Sequence, residues 1–153
     1  MRLTRYTDYA LRVLLYLAER PERVCAIAEI ATAHAISKNH LMKVVHELGK
    51  AGYVQSVRGC HGGMRLCRPP DAINIGAVVR EMEGDFDLVD CASCVITHRC
   101  GLQGALGEAL GAFLAVLDDY SLADLSRQAP ASLTNAQITS PMLGSVQRPF
   151  ATS

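Results

Sequence analysis

Residues 29–66 read EIATAHAISKNHLMKVVHELGKAGYVQSVRGCHGGMRL, and this stretch decides the fold. Its first part predicts two helices, one over residues 25–33 and one beginning after Ser37, with a short break at residues 34–36. Serine is a residue type that caps helix N-termini. The second of these helices has one apolar face, made by Leu41, Val44, Val45 and Leu48. Two helices joined by so short a break indicate a helix-turn-helix.

A β-hairpin is predicted directly after these helices. Two extended segments, residues 53–57 and 64–67, flank residues 58–63, which include three glycines. Glycine accepts the positive φ angles that tight turns require. We therefore predict a winged helix-turn-helix domain, in a fold that is mainly α with a small β-hairpin wing.

Helices are also predicted on both sides of this stretch. Apolar residues at helical spacing indicate one helix over residues 5–19, one between Asn74 and Gly84, and a long one over residues 102–120. The apolar stripe of the long helix consists of Leu102, Leu106, Leu110, Phe113 and Leu117. No other predicted helix is long enough to cover this stripe, so we expect a dimerisation helix that packs against a second copy of the chain.

These elements divide the chain into three parts. Residues 1–70 form the predicted winged helix-turn-helix DNA-binding domain, and residues 71–126 form a cluster-binding loop and the dimerisation helix. Residues 127–153 contain three prolines and no apolar periodicity, which is typical of a flexible tail.

The charge of the chain is unevenly distributed. The net charge is zero, but residues 34–68 hold six Lys and Arg against one acidic residue, a balance of +5. Residues 69–126 hold two Arg against ten acidic residues, a balance of −8. The basic segment is the one that would attract a polyanion such as DNA.

Composition limits the class of protein. Half of the residues are hydrophobic, which is enough for a core, and no run of about eighteen apolar residues suggests a membrane span. We expect a cytoplasmic protein without a membrane partner. In a reducing compartment, clustered cysteines are metal ligands more often than disulfides. Three of the six cysteines fall within residues 91–100, while Cys25 and Cys67 are interpreted as small core residues and Cys60 as an incidental thiol at the wing tip.

The helix after Ser37 is the predicted recognition helix. In a helix-turn-helix the second helix enters the major groove, with its N-terminal residues against the base edges. The predicted DNA-binding residues are Ser37, Lys38, Asn39, His40 and Lys43 on this helix, with Arg58 and His61 on the wing. The alternatives are that this basic face is only solvated, or that it contacts another protein.

The remaining cysteines form a compact motif. Cys91, Cys94 and Cys100 follow a C-x2-C-x5-C pattern in a loop between two predicted helices. Thiolates are the preferred ligands of iron-sulfur clusters, and zinc is the main competitor. His98 would complete a tetrahedral zinc site, so the spacing leaves both readings open.

Three blocks together resemble one known family. LTRYTDYALRVLLYLA at residues 3–18, the stretch at residues 29–66 and DCASCVITHRC at residues 90–100 are similar, in this order, to the NsrR family of nitric-oxide-sensing repressors. That family is related to the cluster-biogenesis regulator IscR. The likeness covers residues 1 to about 126 and reinforces the winged-helix prediction.

The resemblance implies a cofactor and its ligands. It implies one iron-sulfur cluster per subunit, 4Fe–4S favoured and 2Fe–2S as the alternative, on Cys91, Cys94 and Cys100. The fourth ligand implied is Asp8 of the other subunit. An acid in a first helical turn also stabilises the helix dipole and pairs with a basic residue at i+4, here Arg12, which is the other reading of Asp8. The histidine of IscR-type ligation is replaced by Gln103, which favours the NsrR type.

The expected function follows from these features. We expect a homodimeric transcriptional repressor, not an enzyme, that binds a palindromic double-stranded operator and releases it when nitric oxide damages the cluster. The alternative is an IscR-type sensor of iron or cluster status. An electron carrier and a zinc-stabilised interaction module are rivals from other classes.

Overall fold

The computed structural model describes residues 2–59, 62–91, 94 and 100–127. Within these residues the chain forms six α-helices and one two-stranded antiparallel sheet. In chain order the elements are α1 (Arg5–Ala18), α2 (Ile27–Ala33), α3 (Lys38–Lys50), β1 (Val54–Val57), β2 (Gly63–Leu66), a 3-10 turn (Pro70–Ala72), α4 (Ile75–Glu83), α5 (Leu102–Asp118) and α6 (Leu122–Arg127). The prediction of a mainly helical fold with a small hairpin is confirmed.

Helix α1 lies at the centre of the core. Thr4 caps its N-terminus, since the Thr4 hydroxyl accepts a hydrogen bond from the backbone N–H of Thr7 at 3.3 Å. Ala10, Val13 and Leu14 are completely buried, as the helical spacing of the apolar residues predicted. Helix α1 contacts α3, α4, α6 and β2, so it joins the two halves of the chain.

Helices α2 and α3 form the predicted helix-turn-helix. Helix α2 begins at Ile27, two residues later than predicted, because Cys25 pairs with Met64 of the hairpin in an isolated β-bridge. The turn between the helices places Ala35 in the left-handed region, at φ 52°. Glycine is the usual residue in such a turn, so the sequence carried no direct sign of it.

The hairpin forms the predicted wing. Val54 pairs with Leu66 and Val57 with Gly63. Gly63 lies so close to the backbone of Cys25 that a Cβ atom there would collide with it. Cys25 is buried as predicted, but the prediction that Cys67 belongs to the core is wrong. Strand residues alternate between faces, and Cys67 is exposed like Arg65 while Met64 is buried.

The second half of the chain packs back onto α1. Asn74 caps α4 by accepting a hydrogen bond from the N–H of Ala77 at 2.9 Å, and Gly84 ends this helix at φ 72°, both as predicted. The short helix α6 was not predicted. Its Leu122 is completely buried, and the Leu122 N–H donates to the carbonyl of Ile73 at 2.8 Å.

The apolar stripe of the long helix α5 is partly covered by residues of its own chain. None of its residues is buried, and the stripe residues from Leu106 onward are half-buried against their own chain. Leu117 packs on the core, and Leu106 and Leu110 border a cavity with Phe86 and Leu88 of the loop after α4. Loop residues thus cover part of the stripe, and the packing of α5 against a second copy stays a prediction.

The remaining chain-level predictions have different outcomes. One hydrophobic core runs from Ala10 to Leu122, across the proposed boundary at residue 70, and the division into three parts stays a prediction. The predicted flexible tail lies, from residue 128 on, outside the described residues. Within the described ranges, no helix has the length and apolar character needed to cross a membrane.

Candidate metal centre and nucleic-acid interface

Helix α3 presents the predicted recognition residues to solvent. Ser37 caps the helix, and its hydroxyl accepts a hydrogen bond from the N–H of His40 at 3.3 Å. The helix period buries one face of α3 and leaves the other exposed. The exposed predicted residues are Ser37, Lys38, Asn39, His40 and Lys43. Hydrogen-bonding groups and positive charge thus stand together at the start of one helix.

The two lysines at this surface differ from the lysine that ends α3. Among the described residues, no carboxylate forms an ion pair with Lys38 or Lys43, whereas Lys50 pairs with Glu47 at 3.0 Å. Arg58 is exposed at the end of β1, and His61 lies outside the described residues. The charges on the first half of α3 are therefore available to an external anion.

Helix α1 contributes a residue to this surface that the sequence analysis did not identify. Arg5 borders a cavity of about 230 Å³ together with His40 and Lys43. The tyrosines of α1, Tyr6 and Tyr9, line the same cavity. Burial, followed by the charge of Glu47, raises the pKa of Tyr6. Arg5 could have been suspected only from the packing of α1 on α3, since the net charge of residues 1–33 is small.

The three clustered cysteines line one cavity. Cys91, Cys94 and Cys100 border a space of about 330 Å³ at the start of α5, together with Leu102 and other residues of the loop. Cys91 and Cys100 are half-buried and Cys94 is exposed. The Leu102 N–H at the start of α5 points to the Cys100 sulfur at 3.5 Å. Backbone N–H groups and a helix N-terminus stabilise a thiolate, which is the form that binds metals.

The donor set fits an iron-sulfur cluster. Cysteine thiolates are the ligands such clusters prefer, and hydrogen bonds to the ligand sulfurs are part of their environment. A single tetrahedral zinc ion, at about 2.3 Å from each sulfur, would draw its ligands close together. In residues 2–59, 62–91, 94 and 100–127, no three His, Cys, Asp or Glu side chains lie close enough together to hold a metal ion, and this does not distinguish the two cofactors. His98, the predicted fourth zinc ligand, lies outside these residues.

Asp8 is not brought to the cysteines of its own chain. It lies in the first turn of α1 and accepts a hydrogen bond from the Arg12 Nε at 2.8 Å, which raises the pKa of Arg12. Asp8 does not border the cysteine cavity. Both groups of the pair are substantially exposed, at 42% for Asp8 and 47% for Arg12, so Asp8 is accessible to a second subunit.

One face of α5 is exposed and apolar. Ala105, Ala109, Ala112 and Val116 follow one another at helical spacing, and all four are exposed, Val116 at 57%. Glycines stand elsewhere on α5, and a Cβ added at Gly104 or Gly107 would meet no other atom. A single chain leaves most of α5 exposed, including this small-residue face and Leu102 of the stripe, which is 52% exposed.

Sequence comparison finds one matching family and several similar regulators. The Rrf2 family, described as iron-dependent transcriptional regulators, matches residues 3–128. The HTH-type transcriptional regulator NsrR of Bacillus subtilis (strain 168) is 55% identical over 131 residues, covering 82% of this chain and 90% of that protein. The NsrR regulator of Geobacillus kaustophilus (strain HTA426) is 54% identical over 131 residues, covering 82% of this chain and 89% of that protein. The resemblance drawn from three sequence blocks is confirmed.

Solved structures of regulators share the fold. CymR, the global cysteine regulator of B. subtilis, superposes with a TM-score of 0.71 at 29% identity and covers 85% of this chain and 99% of its own. IscR of T. potens superposes with a TM-score of 0.71 at 26% identity and covers 85% of this chain and 89% of its own.

Proposed function

Because the chain belongs to the Rrf2 family of transcriptional regulators, which are not enzymes, we propose that it is a dimeric repressor controlled by an iron-sulfur cluster. It binds a palindromic operator and releases it when nitric oxide nitrosylates or removes the cluster. The observation that carries this proposal is the shared cavity of Cys91, Cys94 and Cys100 in a chain with a winged helix-turn-helix.

DNA binding is assigned to α3 and the wing. Ser37, Asn39 and His40 stand at the start of α3, where a recognition helix meets base edges. Lys38 and Lys43 add positive charge, and the wing contributes Arg58 and His61. Two copies of α3 would read half-sites about 34–36 Å apart, one turn of DNA.

The cysteine cavity is assigned to the cluster, one per subunit, with 4Fe–4S favoured over 2Fe–2S. Cys91, Cys94 and Cys100 supply three thiolates, and Leu102 lines the same space. When bound, the cluster supplies an iron that nitric oxide attacks. The nitric oxide signal is the one implied by the resemblance to the NsrR family, and the relatives at 54% and 55% identity carry that name.

The fourth ligand is assigned to Asp8 of the second subunit. Asp8 is exposed enough to leave Arg12 and reach outward, and it does not border the cysteines of its own chain. A carboxylate is a hard donor beside three soft thiolates, so its bond is the one most readily exchanged. Ligation across the dimer would tie α1 of one subunit to the cysteine loop of the other.

The dimer is assigned to the exposed face of α5. Small side chains at Ala105, Ala109 and Ala112 allow two helices to approach closely, and Val116 supplies apolar area. A two-fold axis along this face would present two copies of α3 to one duplex, as a palindromic site requires.

Anaerobic purification tests the cofactor. The expected result is a coloured protein with equal amounts of iron and acid-labile sulfide, and tight binding to a duplex that the protein selects from a random-sequence pool. Nitric oxide should weaken this binding strongly. Colourless protein without iron or sulfide that still binds its duplex fully would refute the proposal.

A second experiment separates the two sensing modes. Gln103 stands where the IscR type has a histidine ligand, and this favours nitric oxide as the signal. DNA affinity is measured after nitric oxide addition and, separately, after mild iron chelation. If nitric oxide weakens DNA binding and mild iron chelation does not, the proposal is supported. If chelation weakens DNA binding and nitric oxide does not, iron or cluster status is favoured as the signal.

The Asp8→Ala variant tests the fourth ligand. We expect weaker cluster retention and a smaller difference in DNA affinity between cluster-loaded and cluster-free protein. Asp71→Ala, which removes one exposed acidic charge from the 3-10 turn, is the control. Unchanged cluster spectra and an unchanged nitric oxide response in Asp8→Ala would remove Asp8 from the ligand set.

A further inference from the structure

Glu83, the last residue of α4, reaches across the fold to the first turn of α1. Its carboxylate accepts hydrogen bonds from the Thr4 backbone N–H, at 3.0 Å to Oε1 and 3.2 Å to Oε2. The Thr4 hydroxyl donates to Oε2 at 3.1 Å, and the Thr7 hydroxyl donates to the same oxygen. One side chain thus holds two threonines that are 76 and 79 residues away in sequence.

The chemistry of this contact makes it a strong link. The N–H groups at the start of a helix have no intrahelical partner, and negative charge is favourable there because of the helix dipole. Hydrogen bonds to an ionised group are stronger than those between neutral groups. Thr7 is completely buried, so its hydroxyl needs a protein partner, and Glu83 provides it.

Glu83 lies directly before the segment that leads to the cysteine loop. Gly84 follows it at φ 72°, and residues 85–90 then lead to Cys91. At the other end of the contact, Thr7 directly precedes Asp8. The carboxylate therefore joins the segment that enters the cysteine loop to the helical turn that carries Asp8, within one subunit.

We propose that Glu83 is a positioning residue that couples the cysteine loop to the reading head through the first turn of α1. Helix α1 continues the connection, because the Tyr6 hydroxyl donates to the carbonyl of Lys43 in α3. A displacement of the loop moves Glu83, with it Thr4 and Thr7, and so the orientation of Asp8 and of α3. The proposal rests on the proposed function and assigns a residue to its regulation.

The same helix offers a matched control. One turn earlier on α4, Arg80 makes a two-pronged ion pair with Asp118 of α5, at 2.5 and 2.7 Å. This pair ties α4 to α5 and involves neither α1 nor α3. Asp118→Asn therefore breaks a charged contact of α4 without touching the proposed connection.

The test compares DNA affinity with and without the cluster, both measured anaerobically by fluorescence anisotropy. Allosteric couplings commonly change affinity by about 5- to 150-fold. For Glu83→Ala and Glu83→Gln we expect the ratio of the DNA affinity with the cluster to the DNA affinity without it to fall at least about fivefold, toward one. Asp118→Asn should keep the ratio of the unchanged protein within about twofold.

A second readout does not depend on the cluster. In cluster-free Glu83→Ala, amide hydrogen exchange should become faster at Thr4 and the residues that follow it. Thr7→Val keeps the shape of the buried side chain and removes one donor to Glu83, so it reports on the contact if Glu83→Ala fails to fold.

The outcomes separate the inference from the proposed function. Faster exchange at the start of α1 with an unchanged affinity ratio, in Glu83→Ala or Thr7→Val, would overturn the positioning role alone. A ratio of one in the unchanged protein would overturn the proposed function and this inference with it.

Discussion

Tyr6 of α1 donates a hydrogen bond from its phenol oxygen to the main-chain carbonyl of Lys43 in α3, with 3.0 Å between the two oxygens. Asp8 lies two residues after Tyr6 and Lys43 is a predicted DNA contact, so this bond joins the proposed sensing and reading residues. Because this carbonyl belongs to the backbone of α3, a shift of α1 would move the backbone of α3 and not only a side chain.

Tyr6→Phe tests this bond, since it removes the hydroxyl and keeps the ring. The expected loss in free energy of unfolding is about 1 kcal/mol, measured by urea denaturation, because a single neutral hydrogen bond contributes about that much. The affinity ratio between cluster-loaded and cluster-free protein should also fall. Tyr120→Phe, on a partly exposed tyrosine after α5, is the control. Equal effects of the two substitutions would contradict the role of the Tyr6 bond.

Lys43→Ala tests the charge on α3, the proposed recognition helix. If Lys43 meets a phosphate, affinity should fall on every duplex and the slope of log K against log salt should become shallower by about 0.9. Lys50→Ala is the control, because Lys50 already pairs with Glu47 at the end of the same helix. A loss that appears only on duplexes that keep one particular base pair would assign Lys43 to base readout instead.

Ser37→Ala separates helix stability from DNA contact. Removing the cap should lower the free energy of unfolding by about 1 kcal/mol, as for other N-caps. Asn74→Ala removes the cap of α4, together with the Asn74 hydrogen bonds to the carbonyls of Asp118 and Tyr120, and should also destabilise the protein. Under conditions in which both variants are folded, only Ser37→Ala should weaken DNA binding. Equal DNA affinity in both variants would show that Ser37 serves the fold alone.

Val116→Glu tests the proposed dimer face of α5. A charge buried between two helices without a partner is costly, so we expect monomers in analytical ultracentrifugation and much weaker binding to a palindromic duplex. Gln55→Glu adds the same charge on β1 and should leave the dimer intact. Dimers of Val116→Glu with the stability of the unchanged protein would place the interface elsewhere.

The ion pair of Asp118 predicts an acid dependence of stability. Hydrogen bonding to Arg80 lowers the pKa of Asp118 below its ordinary value of 3.8. The contribution of this ion pair to the free energy of unfolding is therefore complete above the ordinary pKa of 3.8. It is lost as the pH falls through the lowered pKa of Asp118 in the folded protein. Asp118→Asn should be less stable than the unchanged protein near neutral pH, and the difference should shrink at strongly acid pH in urea titrations. Asp71→Asn, which removes an exposed carboxylate of the 3-10 turn, is the control.

The helical spacing of apolar residues and the capping residues were sufficient to predict most of the fold. Ser37 and Asn74 cap their helices as predicted, and Leu41 to Leu48 bury the expected face of α3. These features depend on neighbours within one or two helical turns, so a local pattern carries them. The turn at Ala35 was not foreseeable as left-handed, because packing of α2 on α3 imposes that conformation on a residue that does not favour it.

The sequence by itself determined the winged helix-turn-helix, the basic start of α3 and the cysteine motif, because helical periodicity, charge and residue spacing are properties of short segments. Only the tertiary structure decided which face of α5 stays exposed, that Arg5 joins the surface of α3, and that Glu83 holds the first turn of α1. Each of these depends on contacts between residues distant in the chain, and no local pattern contains that information.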